Sequence, residues 1–366
     1  MKIVQLIYSL TSGGAERFVV DLSNELATFG HEVHLVVFRN SEEENDPVHF
    51  YKHLIAEQVH YHNLNIKEGF RLSAFTTTIT FIQKLKPDIV HCHLNVIPYI
   101  FPLALRRKGI KFLHTLHSIA PKTVGFSFQK KINRFFYRTN RILPITISDI
   151  CLISYKDFYG LDNAAMIENG RSEVIPTQQF HVVKKEILSY KANKNTPVFI
   201  HLGKFRKEKN HQLLIDTFNR VDKKGADFLL LIIGADFDSD EGKQLQKGAC
   251  DKIKFLGTKQ NVNDYLLNAN AFCLSSIYEG LPISLLEALS AGCVPICTPA
   301  GGIPNVITHG VTGILSDDFS DSAYYNAVMS YINSSVIIDR EVLIQYFKEN
   351  YSINKSAILH HELYSQ

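Results

Sequence analysis

Residues 270–299 read NAFCLSSIYEGLPISLLEALSAGCVPICTP and contain one complete strand–helix–strand unit. FCLSS and CVPICTP are short apolar runs of the kind that form buried strands. Between them, Pro282 suits the first turn of a helix, and Gly292 suits its end. The stretch therefore predicts two strands joined by a helix, which is the repeating unit of a parallel α/β sheet.

The same rhythm extends through the chain on both sides of this unit. The other predicted strands are KIVQLIYSL, HEVHLVVF, PDIVHCHL, IKFLHTLHS and RILPITIS in the first half, and TPVFIHLG, ADFLLLIIG and KIKFLG in the second. AERFVVDLSNELATFG has helical spacing, and Gly30 stands where a left-handed residue would end that helix. Between about residues 168 and 197, ENGRSEVIP and YKANKNTP are rich in Asn, Gly, Pro and charge and predict loop and linker.

We therefore expect an α/β protein with two tandem Rossmann-like domains, each built on a parallel sheet, facing a central cleft. A chain of 366 residues is long enough for two cores. We place the first domain at residues 1–170 and the second at 171–351. In open α/β sheets, ligands bind beyond the carboxyl ends of the strands, so functional residues are expected in those loops.

The bulk composition is that of an ordinary globular protein, with 45% apolar and 20% charged residues. The formal net charge of +3 gives no reason to expect a nucleic-acid partner. The six cysteines form no CxxC pair and are typical of small buried hydrophobes in a reducing compartment. The N-terminal MKIVQLIYSLTSGG lacks the pattern of a signal peptide, and no apolar run is long enough to span a bilayer, so we expect a cytoplasmic protein.

The charge is unevenly distributed, because residues 89–148 contain no Asp or Glu. Cations and aromatic residues alternate there: Arg106, Arg107, Lys108, Lys111, Lys122, Lys130, Lys131, Arg134, Arg138 and Arg141, with Phe126, Phe128, Phe135, Phe136 and Tyr137. A basic aromatic surface over residues 106–141 suits peripheral binding to the anionic inner face of the cell membrane. In the alternative interpretation, Phe135 and Phe136 face the core and the cations form a solvated face.

Two turns follow the first strands of the two domains and have features of anion sites. In SGGAE, residues 12–16, Gly13 and Gly14 allow close backbone approach, and a helix N-terminus offers free N–H groups. In GKFRKEKN, residues 203–210, four cations suit a phosphate or diphosphate: Lys204, Arg206, Lys207 and Lys209. The simpler alternatives are a tight turn and a solvated basic turn.

The EGLPISLLE segment, residues 279–287, has more features of a ligand site than either of these turns. Glu279 is predicted to lie in a loop that faces the cleft, and Glu287 one to two turns into the following helix. The N–H groups near residues 281–284 are expected to point at the same space. This element would hold a diphosphate on its N–H groups, with a carboxylate for sugar hydroxyls on either side.

Histidines and acids in other loops raise the question of a metal. HCH (91–93) and HTLH (114–117) have no Cys or carboxylate cluster to complete a ligand set, so a metal site is disfavoured. His117, at a strand exit, is expected instead to be a hydrogen-bonding group that lines the cleft. DFDSDE, residues 236–241, resembles an Asp-x-Asp metal–nucleotide motif but more plausibly opens a helix, with its acids as caps and dipole partners.

Taken in order, SGGAE, HTLHS, ENG, GKFRKEKN, EGLPISLLEALSAGCVP, AGGIPNVI and HGVTGIL resemble glycosyltransferase family 4. These are retaining enzymes of the GT-B fold that use nucleotide-sugar donors. The resemblance covers nearly the whole chain and is strongest over residues 270–315, where the Glu-x7-Glu motif is very specific. It implies that the first domain binds the acceptor, that the second binds the donor, and that a last helix, about 352–366, packs back on the first.

The resemblance also implies roles for matching residues. Glu279 and His117 would be catalytic: Glu279 would contact the donor sugar and stabilise developing positive charge, and His117 would hydrogen-bond that sugar near the transfer point. Glu287 would hold the ribose hydroxyls, and Gly13 with Gly14 would lie against the diphosphate and acceptor. The implied donor-binding set is Gly14, Lys204, Lys209, Gly280, Leu281, Pro282, Ile283 and Glu287. The family has no essential metal, so no cofactor is expected.

Four positions depart from the family pattern. Lys204 stands where Arg is common, which keeps the charge but loses the bidentate fork. Asn305 replaces Glu in the GGIPN turn, Arg171 replaces an apolar residue after Asn-Gly, and ADFDSDE replaces a Gly-rich loop. The last three are predicted to affect substrate identity more than reaction class.

The expected function is transfer of a hexose or N-acetylhexosamine, with uridine as the first choice of base and guanosine the second. The acceptor would be a sugar hydroxyl of a glycan or lipid-linked sugar in cell-surface polysaccharide synthesis. Two alternatives stay open: a nucleotide-sugar isomerase of the 2-epimerase type on the same fold, and a non-catalytic nucleotide-sugar-binding protein.

Overall fold

The computed structural model describes residues 1–39, 47–66, 71–106, 109–125 and 128–366. The chain divides into two compact units, residues 1–172 with 353–366, and residues 173–352. Each unit has one parallel sheet with helices between successive strands, as the alternating pattern predicts. In the described part of the chain, none of the helices has both the length and the apolar character that crossing a bilayer requires.

The first unit is built on a seven-stranded sheet of order β3–β2–β1–β4–β5–β6–β7. The strands are β1 (Lys2–Ile7), β2 (Glu32–Arg39), β3 (His60–Ile66), β4 (Ile89–His93), β5 (Lys111–Leu116), β6 (Leu143–Thr146) and β7 (Ala165–Met166). The helices are α1 (Gly14–Thr28), α2 (Leu72–Leu85), α3 (Phe101–Arg106), α4 (Gln129–Arg138) and α5 (Asp149–Tyr159). Short 3-10 segments occur at Pro47–His49, Lys52–Leu54, Leu94–Ile100 and Ala120–Thr123.

The second unit has a six-stranded sheet of order β10–β9–β8–β11–β12–β13. The strands are β8 (Val198–Leu202), β9 (Leu229–Ile233), β10 (Ile253–Phe255), β11 (Ala271–Leu274), β12 (Val294–Cys297) and β13 (Ile314–Leu315). The helices are α6 (Phe180–Tyr190), α7 (His211–Lys223), α8 (Asp240–Lys247), α9 (Val262–Leu267), α10 (Ile283–Ser290), α11 (Ile303–Val306), α12 (Asp321–Ile332) and α13 (Arg340–Asn350), with a 3-10 turn at Lys207–Lys209.

The last helix, α14 (Ile353–Ser365), belongs to the first unit and packs against α1. Tyr364 is buried, and its hydroxyl oxygen accepts a hydrogen bond from Gln5 Nε2 on β1 at 3.2 Å. Lys111 Nζ donates to the main-chain oxygen of Leu363. The end of the chain is therefore tied to the centre of the first sheet.

Buried apolar faces explain why the helices form where they do. Phe18, Val19, Leu22 and Leu26 of α1 are each at most 1% exposed, so the predicted face of this helix is the one that is buried. Burying a side chain of this size contributes about 1.5–3 kcal/mol. The helix ends at Thr28, and Gly30 has a φ of +80° two residues later, which confirms its predicted role at the helix end.

The structure differs from the sequence prediction in two places. Strand β3 was not predicted, since HYHNLNI is half polar and lies at the sheet edge, where one side faces solvent. Helix α6 lies within the segment at 168–197 that was predicted as loop and linker, and Val183 and Ile187 form its buried face. Of the six cysteines, all free, five are buried and Cys250 is partly exposed.

Candidate active site

The strand–helix–strand unit from which the prediction started is present in the second unit. Strand β11 ends at Leu274, a loop carries Glu279, and α10 begins at Ile283 directly after Pro282. Pro282 is the N-cap residue, with extended backbone (φ −72°, ψ 122°), rather than part of the first turn. Gly292 has a φ of +68° just after the helix, which confirms the predicted stop.

Glu279 is held by two donors on one carboxylate oxygen. Lys209 Nζ and Ser276 Oγ each lie 2.7 Å from Glu279 Oε1. The side chains of Lys209 and Glu279 are only 20% and 11% exposed, so this ion pair is largely shielded from water. Within the described residues, Oε2 of Glu279 takes no hydrogen bond, so this oxygen has unused acceptor capacity.

The loop that carries Glu279 is fastened to the loop that follows β8. Ile277 N donates to the main-chain oxygen of Glu208 at 2.9 Å, and Ser275 Oγ donates to those of Lys209 and Asn210 at 3.0 Å. Strands β8 and β11 are neighbours in the sheet, so both loops start from the same edge. This attachment brings Lys209 to Glu279 although 70 positions separate them.

A third loop, after β12, closes behind Glu279. Gly302 N donates to the main-chain oxygen of Gly280 at 3.0 Å. Gly301 has a φ of +55°, and a Cβ there would lie 1.8 Å from the main-chain oxygen of Glu279. Only glycine fits this approach, so the AGGIP turn presses directly on the backbone that carries the carboxylate.

Helix α10 places the remaining predicted donor residues. Leu281, Pro282 and Ile283 are buried, and by their position they form the entry to the helix. The first N–H groups of a helix have no intrahelical partner and carry a partial positive charge. Glu287 lies on the same helix and is 7% exposed. At about 1.5 Å per residue, it stands about 6 Å beyond Ile283 along the axis.

The basic turn divides into different environments. Arg206 Nη1 pairs with Asp236 Oδ2 at 2.6 Å, and both side chains are about half exposed, at 52% and 44%. Lys207 is exposed, whereas Lys204 is partly buried. Lys204 and Lys209 are therefore the cations of this turn that are partly shielded from solvent, and they are the two that the resemblance singles out.

The DFDSDE segment opens α8. Ser239 is the N-cap and its Oγ accepts from Gly242 N, while Asp240 and Glu241 lie in the first turn. This confirms acids as partners of the helix dipole, but the cap is the serine. The loop before it is close to the β8 loop, since a Cβ on Gly234 would lie 1.9 Å from the main-chain oxygen of Gly203.

In the first unit, the SGGAE turn forms the start of α1, and Glu16 has a role there that was not predicted from the sequence. Gly13 is the N-cap and Gly14 the first helical residue. Glu16 folds back over this end: Thr11 Oγ1 donates to Glu16 Oε1 at 2.9 Å, and a Cβ on Gly13 would lie 2.2 Å from Oε2. Gly13-x-x-Glu16 has the spacing of a capping box, so the signal was in the sequence.

His117 follows β5 and is the end of a hydrogen-bonded chain. Its Nε2 lies 3.0 Å from His93 Nδ1, and His93 Nε2 lies 2.7 Å from Gln5 Oε1. Gln5 Nε2 donates to Tyr364, so Gln5 Oε1 is the acceptor and His93 Nε2 carries the proton. His93 Nδ1 then accepts from His117 Nε2–H, and His117 Nδ1 keeps a lone pair.

That lone pair has no partner within the described residues, and the Nδ1 atom is buried. Burial, with smaller contributions from His114 and His360, lowers the pKa of His117 to about 3. The ring also contacts Phe18 of α1 edge-on, with centroids 5.7 Å apart. His117 is therefore a neutral imidazole whose Nδ1 can accept a hydrogen bond from a hydroxyl group.

The HCH segment is engaged in hydrogen bonds rather than left open for a metal. His91 Nδ1 lies 2.7 Å from the Tyr364 hydroxyl, and His91 Nε2 lies 2.7 Å from Thr115 Oγ1. With the two contacts of His93, all four ring nitrogens of this pair have partners. This agrees with the prediction that these histidines are hydrogen-bonding groups.

Arg171, which the sequence links to substrate identity, lies in the interior of the first unit. It is 1% exposed, and its Nη1 donates to Asp21 Oδ2 of α1 at 2.7 Å. Arg17 Nε pairs with the other oxygen of Asp21 at 3.2 Å. The arginine fastens α1 to the segment after β7. Asn305, another single-residue departure, is exposed on α11.

The basic aromatic region gives a mixed result. Phe136 and Tyr137 are buried, whereas Phe128 and Phe135 are 61% and 43% exposed. The exposed cations on and around α4 are Arg106, Lys122, Lys130, Lys131, Arg134 and Arg138. The aromatic residues of this region are therefore divided between core and surface, and membrane binding stays a prediction. Arg107, Lys108 and Phe126 lie outside the described residues.

Two family profiles match the chain. Glycosyltransferase Family 4 matches residues 12–172, and Glycosyl transferases group 1 matches residues 183–350. The two matches together span most of both parallel-sheet units. The chain belongs to the group 1 and family 4 glycosyltransferases.

Relatives and solved structures agree with this assignment. The chain is 24% identical over 320 residues to N-acetyl-alpha-D-glucosaminyl L-malate synthase of Bacillus anthracis, covering 83% of this chain and 81% of the relative. It is 27% identical over 320 residues to a Campylobacter jejuni 4-alpha-N-acetylgalactosaminyltransferase named for a diphospho-undecaprenol-linked substrate, covering 81% and 80%. HepE of Anabaena, in complex with UDP and glucose, matches with a TM-score of 0.76 at 16% identity over 100% of this chain and 99% of that one. The predicted GT-B fold is confirmed.

Proposed function

We propose that this glycosyltransferase is a retaining enzyme that moves a hexose or N-acetylhexosamine from a UDP-sugar to a hydroxyl of a glycan or lipid-linked sugar. The observation that carries the proposal is the placement of Glu279. Its carboxylate is anchored through Oε1 by Lys209 and Ser276, beside the N-terminus of α10. This arrangement would offer positive charge to a diphosphate and, next to it, negative charge to a cationic sugar.

The diphosphate would lie on the N–H groups at the start of α10, where the helix dipole favours an anion. Lys204 and Lys209 would add charge-assisted contacts to its oxygens. Glu279 Oε2 would face the sugar, and Glu287 would take the ribose hydroxyls. Gly280 belongs to this cradle because its backbone lies between Glu279 and the helix.

The transfer step would proceed on one face of the sugar. The bond between the anomeric carbon and the diphosphate oxygen breaks, and a bond to the acceptor oxygen forms on the same side. The proton of the acceptor hydroxyl passes to a donor phosphate oxygen, so no protein base is needed. Glu279 stabilises the oxocarbenium-like centre, and the cations and N–H groups stabilise the charge on the diphosphate. No metal takes part in this proposed step.

His117 would position the donor sugar through its Nδ1 lone pair. A neutral acceptor at this place takes a hydrogen bond from a sugar hydroxyl without adding positive charge near the oxocarbenium-like centre. Gly13 and Gly14 would lie against the diphosphate or acceptor, in which case the Glu16 carboxylate at the α1 N-terminus has to move or contact the acceptor.

The acceptor is proposed to be lipid-linked and the enzyme to work on the cytoplasmic face of the membrane in surface-polysaccharide synthesis. Two observations support this. The Campylobacter jejuni relative is named for a diphospho-undecaprenol-linked substrate. Phe128, Phe135 and the exposed cations of α4 form a basic aromatic surface in the first unit, which suits an anionic lipid face.

The decisive experiment is a transfer assay with a panel of UDP- and GDP-sugars and undecaprenyl-diphosphate-linked sugars, followed by NMR of the product anomer. A product with the anomeric configuration of the donor supports a retaining transferase. Inverted configuration refutes the retaining step. Conversion of the donor without acceptor would indicate an isomerase. Donor binding, seen as a rise in melting temperature, without turnover for any acceptor would indicate a binding protein.

A further inference from the structure

A group of side chains that could hold a metal ion lies on the first sheet. Strand β2 begins Glu32-x-His34 and β3 begins His60-x-His62. The strands are parallel, with His34 paired to His60 and Val36 to His62. Since alternate residues of a strand face the same side, all four side chains share one face.

The geometry of three of these groups is close to that of a metal site. One ligand atom each from Glu32, His34 and His60 lies within 4.8 Å of the others. His34 Nε2 and Glu32 Oε1 are already 3.1 Å apart. Ligand atoms of one tetrahedral zinc ion lie about 3.3 Å apart, given bonds of about 2.0–2.1 Å. Glu32 and His60 are exposed, so small rotations of their side chains bring the third atom into range.

His62 supplies the outer contact that metal-bound histidines usually have. His34 Nδ1 lies 2.9 Å from His62 Nε2. When His34 Nδ1 carries the proton, it donates to His62 and leaves Nε2, the atom beside Glu32, as the ligand. In the tautomer without metal, His34 Nε2 donates to Glu32 Oε1 and Nδ1 accepts from His62, so metal binding moves the His34 proton from Nε2 to Nδ1.

The ammonium group of Lys2 competes with a metal cation for Glu32, and removing it is one test of the inference. Lys2 Nζ lies 3.1 Å from Glu32 Oε1. A metal would have to displace this ammonium, which has an alternative acceptor in the main-chain oxygen of Leu85 at 3.4 Å.

We propose that Glu32, His34 and His60 bind one divalent cation of the zinc class, with His62 orienting His34. Two nitrogens and one carboxylate suit zinc better than magnesium or calcium. Lys2, Glu32 and His60 are the first residues of β1, β2 and β3, whereas His117 follows the carboxyl end of β5. The site therefore lies at the opposite end of the sheet from the proposed transfer chemistry. Its effect is to tie edge strand β3 to β2 and stabilise the first unit.

The test is a zinc titration of the full chain against a chromophoric chelator, paired with melting curves and done without nucleotide sugar, so that it does not depend on the transfer function. We expect one zinc per chain and a higher melting temperature with zinc. H60A and E32Q should each weaken binding by at least about 10-fold. K2M should tighten it by about 2- to 5-fold, because a competing surface charge is removed.

The control is H181A, which removes an exposed histidine of α6 in the second unit and should leave zinc affinity unchanged. Melting curves with chelator will show that H60A and E32Q are folded without metal. The proposal is overturned if the natural chain shows no saturable zinc binding. It is also overturned if H60A and E32Q bind zinc with the same affinity as H181A. Weaker zinc binding by K2M overturns it as well.

Discussion

Ser276→Ala is the sharpest test of how Glu279 is presented. Ser276 is fully buried, and its hydroxyl donates to Glu279 Oε1 at 2.7 Å. The side chain lies behind the carboxylate, on the oxygen that Lys209 also contacts. Removing the hydroxyl therefore loosens the carboxylate without removing the charge or any proposed donor contact.

The expected magnitude follows from this geometry. A hydrogen bond to a charged group contributes about 1.5–3 kcal/mol. Lys209 still holds the same oxygen, so we expect the lower end, about 1.5 kcal/mol, which is about a 10-fold loss of kcat/KM. Most of the loss should appear in kcat, because the anchored orientation matters most when charge develops on the sugar.

The assay is steady-state transfer at saturating acceptor, in the natural chain and in an E279Q background. In E279Q, which should itself lose transfer by orders of magnitude, S276A should cost less than about 3-fold, because residues that act through one group are not additive. The control is S290A on α10, whose Oγ accepts from Val174 N. It should lower stability but leave transfer unchanged. An equal 10-fold loss in both backgrounds would refute the idea that Ser276 acts through Glu279.

Three further predictions concern other parts of the chain. Arg171→Met removes one of the two arginines that pair with the buried Asp21 carboxylate and leaves Arg17. It should cost about 3–5 kcal/mol of unfolding free energy with donor preference unchanged, as chemical denaturation and substrate profiling will show. Gly301→Ala should abolish most transfer, because the added Cβ clashes with the Glu279 backbone. A melting temperature below that of the natural chain will show that the turn is strained. Stability should fall as pH drops from about 7 to about 4, because unfolded histidines take up protons near pH 6.5 and buried ones do not; a flat denaturation midpoint would contradict this. The buried histidines with pKa values lowered to about 4 or about 3 are His114, His117, His211 and His360.

The sequence predicts the buried strands well because a strand covered on both faces is rich in apolar residues. Strands β1, β5, β8 and β9 show this. It fails at β3, whose exposed positions carry His and Asn, and at β7 and β13, which are two residues long. Helix α6 was missed because the stretches on both sides of it, which are rich in Asn, charge and turn residues, dominate the local pattern.

Site residues were predicted one by one, but their contacts were not. Lys209 and Glu279 were named separately, and their pairing depends on β8 and β11 being neighbours in the sheet. The series of hydrogen bonds from Gln5 to His117 likewise depends on the return of α14 to the first unit. The ion pair of Arg171 was not predicted either, because its partner Asp21 lies 150 positions away in the sequence.

Lys209 explains how one short element could bind both the diphosphate and the sugar. An ammonium group has three N–H donors, and the structure uses one of them for Glu279 Oε1. The other two have the capacity to contact phosphate oxygens, so the ion pair and a diphosphate contact are compatible. Glu279 lies before the N-terminus of α10 and Glu287 about one turn after it. A diphosphate at that N-terminus would then have one carboxylate on the sugar side and one on the ribose side. The eight-residue separation of the two glutamates therefore fits the two ends of one ligand better than a catalytic acid–base pair, which would need both carboxylates at the same bond.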